Sequence, residues 1–149
     1  MIDFKKYLPI TFSVLYVGLK NNWLKPKEIA VLINDNFEKL NCDEKTLFNI
    51  NVNDDDRKIV LEILRDQIET NEYNGIISWQ LAHLIAIELS ELSIHEKLKE
   101  IELQWSRFNY PESWRNFIYY MPNEKINTEE GVYENFLIFL NKEKRKHLL

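Results

Sequence analysis

The stretch Gly75-Ile-Ile-Ser-Trp-Gln-Leu-Ala-His-Leu-Ile-Ala-Ile-Glu-Leu-Ser-Glu-Leu92 decides the fold. After the glycine, 11 of its 17 residues are apolar, and most of the polar ones share one narrow stripe of a helix. Such a helix is about 25 Å long, roughly the width of a small domain, so other helices have room to pack on several of its sides. It is too polar for a bilayer span, which needs about 20 apolar residues. We therefore expect a buried helix over about residues 76–92.

Apolar residues recur at helical spacing in the other parts of the chain as well. The pattern predicts helices over about 9–22, 26–40, 54–69 and 93–108, a short helix after Pro111, and a last helix after Thr128. Only three glycines and four prolines occur, and no linker composition is visible. We therefore predict an all-α protein, a compact single-domain bundle of about six to seven helices around the buried central helix, with residues 1–149 as the one domain.

Local signals place the ends of several predicted helices. Asn53 is expected to cap the third helix, with Asp54, Asp55 and Asp56 in its first turn, where carboxylates interact favourably with the helix dipole. Asn74-Gly75 predicts a turn before the central helix, and Ser93 with Glu96 forms a capping box after it. In residues 41–53, Phe48, Ile50 and Val52 alternate with polar residues, and we expect a loop there.

The formal net charge is −5 and is unevenly distributed. Residues 28–141 carry ten basic against 22 acidic side chains, whereas both ends of the chain are basic. This charge disfavours binding to nucleic acid and favours a basic protein partner, although acidic charge also serves solubility alone. The single cysteine, Cys42, fits a reducing compartment, and the N-terminal sequence lacks a cleavage site, so we expect a cytoplasmic protein that does not insert into membranes.

The residues that carry enzyme chemistry are sparse. No phosphate-binding glycine loop, nucleophile elbow or paired histidine motif is present, and we predict no catalytic residue, no metal and no cofactor. His83 is the one histidine whose burial would suit a catalytic base, with Glu88 or Glu91 as its partner. A hydrogen-bonded histidine in the core or in an interface is the favoured interpretation, since no nucleophile accompanies it. We therefore expect a protein that is not an enzyme.

Residues 105–122 hold seven of the 19 aromatic residues of the chain. One interpretation makes the large rings core anchors, namely Trp105, Phe108, Trp114 and Phe117. The other leaves Tyr110, Tyr119 and Tyr120 accessible as contacts for a protein partner, because tyrosine is enriched in interface hot spots. On the second interpretation, Asp54, Asp55 and Asp56 supply charges that speed association.

Two short motifs in this segment, Phe108-Asn-Tyr-Pro111 and Phe117-Ile-Tyr-Tyr-Met-Pro122, resemble those of a bacterial family of unknown function. Families of this kind resemble the immunity proteins that are encoded beside secreted polymorphic toxins and that bind a toxin domain. The resemblance implies a stoichiometric binding protein whose partner is a toxin domain, and the acidic charge favours a basic one. A helical adaptor or oligomeric scaffold is the alternative, and it predicts self-association through apolar surface.

Overall fold

The computed structural model describes residues 4–68, 72–118 and 128–147. Over these ranges the chain forms seven α-helices and two short 3-10 helices, with no strand. The α-helices are α1 Phe12–Lys20, α2 Pro26–Asp35, α3 Glu44–Val52, α4 Arg57–Gln67, α5 Glu72–Leu89, α6 Ile94–Arg107 and α7 Glu129–His147, and the 3-10 helices are Lys5–Tyr7 and Glu112–Phe117. The predictions of an all-α fold and of about six to seven helices are confirmed. None of the described helices is both long enough and apolar enough to cross a membrane.

The chain divides into two compact units, and the division falls within α5. The N-terminal unit is Pro9–Trp79, and the C-terminal unit combines Met1–Leu8 with Gln80–Leu149. The expectation of one domain over residues 1–149 stays a prediction. The central helix, predicted over about residues 76–92, is α5 Glu72–Leu89. Trp79 and every residue from 81 to 87 are buried as predicted, whereas Leu89 is 59% exposed.

In the N-terminal unit, α1 packs against α4 and also closely against the first half of α5. A Cβ atom added to Gly75 would lie 2.6 Å from the backbone oxygen of Ser13, and one added to Gly18 would lie 2.6 Å from Cζ2 of Trp79. The indole Nε1 of Trp79 donates a hydrogen bond to the backbone oxygen of Val14 at 2.9 Å. The predicted turn at Asn74-Gly75 is therefore wrong. Gly75 lies inside α5, where the missing side chain lets α1 approach.

Asparagines adopt left-handed backbone conformations in this glycine-poor chain, and two of them follow the ends of α1 and α6. Asn22, Asn41 and Asn109 have φ angles of 61°, 54° and 62°, in the left-handed region that glycine usually occupies after a helix. After α1, the backbone N–H of Trp23 donates to the oxygen of Gly18 at 2.8 Å, as in a Schellman motif. Asparagine tolerates this backbone better than other residues with a Cβ, so the helices can end without glycine.

The structure corrects two predictions between α2 and α4. Residues 44–52, predicted to be a loop, form α3, whose N-cap Asp43 accepts a hydrogen bond from the backbone N–H of Thr46 at 2.6 Å. Asn53 does not cap the next helix; it follows the end of α3, and its Nδ2 donates to the backbone oxygen of Asn49 at 2.8 Å. The N-cap of α4 is Asp56, three residues later than predicted.

In the C-terminal unit, α6 begins as predicted, with a capping box between Ser93 and Glu96. Aromatic rings form much of the core of this unit, and Phe117 contacts Phe136 and Phe139 of α7 with ring centroids 5.5 and 4.9 Å apart. The last helix begins after Thr128 as predicted, and its inward face is buried at Val132, Phe136 and Leu140. The core of this unit is thus built from both the short 3-10 helix Glu112–Phe117 and α7.

Candidate protein-binding surfaces

Tyr110 lies just beyond the end of α6, in the C-terminal unit. Its side chain is 54% exposed, and its ring packs edge-on against Trp105, with centroids 4.9 Å apart and an interplanar angle of 86°. The hydroxyl of Ser106 donates a hydrogen bond to the Tyr110 hydroxyl at 3.3 Å. The ring is therefore held in place on one side and open to solvent on the other.

The backbone at Tyr110 is strained. Asn109 and Tyr110 both adopt left-handed conformations, with φ of 62° and 57°. The N–H of Tyr110 donates to the oxygen of Trp105 at 2.8 Å, and the Trp105 indole Nε1 donates to the oxygen of Pro111 at 2.9 Å. For a residue with a Cβ, the left-handed conformation costs about 1–2 kcal/mol, a cost that glycine avoids. The strained backbone and the exposed ring together make Tyr110 a candidate contact for a protein partner.

Tyr119 and Tyr120 lie outside the described residues, so their place at a contact surface stays a prediction. The segment before them is described, and it is a core segment. Trp105, Trp114 and Phe117 are all buried, which confirms their interpretation as core anchors, and Phe108 is half-buried. Tyr110 is thus the one predicted aromatic contact whose accessibility the described residues show.

The structure brings Asp54, Asp55 and Asp56 together in the turn between α3 and α4, which we call the acidic turn. Asp55 is exposed, and the other two are half-buried. Asp56 accepts a hydrogen bond from the backbone N–H of Ile59 at 3.2 Å as the N-cap of α4. Its carboxylate is therefore engaged within the chain, while Asp54 and Asp55 carry no such capping role. These aspartates belong to the N-terminal unit and Tyr110 to the C-terminal unit.

Hydrogen bonds to both sides hold the acidic turn in place. The Asp56 backbone N–H donates to the oxygen of Asn53 at 2.9 Å. Nη2 of Arg57, the first residue of α4, donates to the backbone oxygens of Leu19 and Lys20 at 3.2 and 2.9 Å. Those oxygens lie in the last turn of α1, where carbonyl groups lack partners within the helix. The turn is thus tied to α1, and little conformational entropy remains to be lost when a partner binds it.

The outward side of α3 carries apolar residues that the sequence analysis missed. Phe48 and Val52 are 63% and 57% exposed, and as positions i and i+4 they lie side by side. The buried residues of α3 are Thr46 and Ile50, also four apart. Phe48, Ile50 and Val52 therefore lie on one helix, where Ile50 faces inward and the other two face outward.

This surface continues onto α2 through a pair of amides. Nδ2 of Asn34 donates to Oδ1 of Asn51 at 2.8 Å and also to the backbone oxygen of Ala30 at 2.7 Å. Val31, one turn before Asn34, is 57% exposed. We call this set of side chains the α3 outer face; its members are Val31, Asn34, Phe48, Asn51 and Val52.

His83, the candidate catalytic base of the sequence analysis, lies in an aromatic environment. Its ring stacks on Phe4 with centroids 3.8 Å apart and meets the edge of Phe108 at 5.4 Å. Burial, with a smaller contribution from the charge of Arg107, lowers the pKa of His83 to about 3. A base with this pKa is poorly matched to proton transfer near neutral pH. The geometry therefore favours the interpretation of His83 as a core histidine.

Glu88 and Glu91, the carboxylates proposed to assist His83, lie in different environments. A carboxylate oxygen of Glu88 forms an ion pair with Nζ of Lys144 at 2.9 Å, and the backbone oxygen of Glu88 accepts a hydrogen bond from Nζ of Lys97 at 2.8 Å. Glu91 is exposed. Over the described ranges, no group of three or more His, Cys, Asp or Glu side chains is arranged to hold a metal ion.

Comparison with curated proteins gave no match, and comparison with solved structures gave none. Comparison with protein families gave a match over residues 2–144, which is nearly the whole chain. The matching family is DUF2247, described as an uncharacterized protein conserved in bacteria. The predicted resemblance to a bacterial family of unknown function is thereby confirmed, whereas the further resemblance to immunity proteins stays a prediction. The chain belongs to the DUF2247 family of uncharacterized bacterial proteins.

Proposed function

We propose that this protein is an immunity protein of the bacterial cytoplasm, which binds a toxin domain stoichiometrically and blocks it without catalysing a reaction. The observation that carries the proposal is Tyr110, an exposed aromatic ring on a strained backbone. A ring already held by Trp105 loses little side-chain freedom on binding, and rigid tyrosines of this kind are frequent hot spots of protein interfaces.

Charge supports a basic toxin domain as the partner. The central part of the chain, residues 28–141, carries 22 acidic side chains against ten basic ones. An acidic surface attracts a basic domain at long range and speeds its association. If the toxin acts on nucleic acid, its binding cleft is basic, and carboxylates on the inhibitor substitute there for phosphates.

The test is a capture experiment with the purified full-length chain as bait. The bait is incubated with a lysate of its own bacterium at about 50 mM and about 300 mM salt, concentrations between which screening of charge differs strongly. Bound proteins are identified by mass spectrometry, and the captured protein is then produced alone and tested for toxicity. We expect one basic toxin domain, bound one to one and less well at high salt, whose toxicity the wild-type chain suppresses.

The role of Tyr110 is tested with Tyr110→Ser and a matched control, Leu103→Ser. Leu103 lies on α6 and is 62% exposed, so its loss removes a comparable apolar side chain elsewhere in the same unit. Loss of an aromatic hot spot weakens binding by about 10- to 100-fold or more. We expect that loss for Tyr110→Ser alone, and equal binding by both variants would contradict the role given to Tyr110.

Exposed apolar side chains favour a second candidate function, that of a helical adaptor or oligomeric scaffold. Large residues with more than half of their surface exposed include Val31, Phe48, Val52, Leu89, Leu103 and Ile138. On this hypothesis the purified chain self-associates without a toxin partner. Sedimentation of the pure protein at high concentration separates the two functions, since the scaffold predicts concentration-dependent oligomers and the immunity protein predicts a monomer.

A further inference from the structure

We propose that the α3 outer face docks a basic amphipathic helix of a protein partner, about three turns long, with apolar residues at its centre and Lys or Arg at both ends. That the partner is a protein rests on the proposed function, whereas the face itself can be tested without it. The face lies in the N-terminal unit and is therefore a second contact surface in addition to Tyr110.

The centre of the face is apolar and exposed. Phe48 and Val52, four residues apart, lie side by side on α3, and exposed Val31 lies on α2 three residues before Asn34, which bonds to Asn51. Buried Ile50 and Thr46 hold α3 to the unit from its other side. An amphipathic helix laid on such a surface removes the apolar groups of both partners from water, as in helix-in-groove recognition.

Both ends of α3 are acidic. Asp43 and Glu44 lie at its first turn, and the acidic turn Asp54–Asp56 follows its last turn. Residues 43–58 contain these five carboxylates and three basic residues, Lys45, Arg57 and Lys58. The hydrogen bond from the Thr46 backbone lowers the pKa of Asp43, so this carboxylate stays ionised near neutral pH. A partner helix with cations at both ends and apolar residues between them is therefore complementary to the face.

The C-terminal end of α3 gives the stronger electrostatic attraction. The carbonyl end of a helix carries a partial negative charge, which adds to that of Asp54 and Asp55. Arg57, the next basic residue, directs its guanidinium to the backbone oxygens of Leu19 and Lys20. The closest cation in sequence is thus bound to α1, and we expect the most important Lys or Arg of the partner at this end.

The spacing of these groups sets the length of the partner helix. From Glu44 to Val52, α3 is nine residues long, about 13 Å along its axis, and the acidic turn lies just beyond its last residue. A partner helix of about 11 residues covers that distance. The Asn34–Asn51 amide pair ties α3 to α2, and the bond from Arg57 to α1 holds the acidic turn that follows α3, so the face is formed before binding.

The face is tested with synthetic peptides and the full-length chain. The probe is a side-chain-stapled helical peptide of about 14 residues, because an unstapled helix of this length is only marginally stable in water. It carries leucines on one side and lysines at both ends. A second peptide has glutamates in place of the lysines, and a third has the same composition with the leucines spread around the helix. Binding is followed by fluorescence anisotropy and by backbone amide NMR shifts at low and raised salt.

We expect the lysine peptide to bind, to shift the amide signals of α2, α3 and the acidic turn, and to weaken as salt rises. Phe48→Ser is expected to weaken binding by about 10-fold or more. The double variant Asp54→Asn/Asp55→Asn is expected to reduce both the affinity and its salt dependence. The control Ile138→Ser, which removes a side chain that is 62% exposed on α7, is expected to bind as the wild type does.

Three results would overturn the inference: equal binding of the lysine and glutamate peptides, unchanged binding by Phe48→Ser, or a wild-type oligomer that Phe48→Ser converts to monomers. The last would show that a second copy of this chain covers the face. The capture experiment separates this inference from the proposed function. If Phe48→Ser captures and neutralises the toxin as well as the wild type does, the inference about the α3 outer face is refuted and the proposed immunity function stands. If the lysine peptide binds but no toxin is captured, the inference stands and the proposed function is refuted.

Discussion

Replacing His83 should make the stability of this protein less sensitive to mild acid. The folded chain holds the pKa of His83 at about 3, against an ordinary value of 6.5. Because the folded state resists protonation and the unfolded state does not, unfolding takes up a proton between these two pH values. The free energy of unfolding therefore falls as pH drops below 6.5, and the loss is complete below pH 3.

The magnitude follows from the pKa difference. One pH unit in this window costs 1.36 kcal/mol, so His83 removes about 2 kcal/mol from the free energy of unfolding at pH 5. Phe4 and Phe108, which flank the ring, do not titrate, and Arg107 adds repulsion against a protonated imidazole. A loss of this size is a large fraction of the stability of a small protein.

The assay is urea unfolding of the wild type, His83→Leu and His83→Gln at pH 7, 6 and 5. The variants differ from the wild type in absolute stability, so the informative quantity is the change of each protein with pH. We expect the wild type to lose about 2 kcal/mol more than either variant between pH 7 and pH 5. Arg107→Gln should raise the pKa of His83 and give an intermediate loss. Parallel pH profiles for the wild type and both His83 variants would refute the reasoning.

The remaining predictions concern packing and Tyr110. Gly75→Ala should lower the free energy of unfolding by about 1–3 kcal/mol despite the better helix propensity of alanine, because the new Cβ meets the backbone of Ser13. An increase in the free energy of unfolding, measured with urea, would contradict this packing. Trp79→Phe should cost about 1–3 kcal/mol in the same assay, since the backbone oxygen of Val14 loses its buried donor, and an unchanged stability would mean that the bond contributes nothing. Tyr110→Gly should change the free energy of unfolding by less than about 1 kcal/mol, because relief of left-handed strain offsets the lost contact with Trp105. The same variant should weaken partner binding as Tyr110→Ser does. A large loss of stability would instead make Tyr110 a structural residue.

Periodicity and capping chemistry predicted most helices of this chain. The capping box at Ser93 placed the start of α6, and the apolar pattern after Thr128 predicted α7. These signals are local, because a cap and an amphipathic face depend only on residues within one or two turns. Local patterns are therefore sufficient where one face of a helix is apolar and the other polar.

The helix α3 was missed because its apolar residues do not all face inward. Phe48 and Val52 point to solvent, and with buried Ile50 they imitate the alternation of an extended strand. The local signal for the start of α3 is Asp43, whose side chain caps the helix through the backbone N–H of Thr46. A helix that exposes apolar residues violates the usual pattern, and such violations are expected where a surface serves binding.

Gly75 shows a different limit of sequence reasoning. Asn followed by Gly is a common turn signal, yet here both residues lie within α5. The reason is the close approach of Ser13 in α1, more than sixty residues earlier in the chain. A contact between distant segments leaves no mark in the local pattern. The strain at Tyr110 is hidden in the same way, since the backbone dihedrals depend on hydrogen bonds to Trp105 and Pro111 that the sequence does not show.

The claim that this protein works by stoichiometric binding is tested most directly by the capture experiment followed by a toxicity assay of the captured protein. The account predicts a single basic toxin domain, held one to one, released by raised salt, and neutralised by the wild type but less well by Tyr110→Ser. Capture of no protein other than further copies of this chain would contradict it, as would a captured protein whose toxicity is the same with and without the wild-type chain.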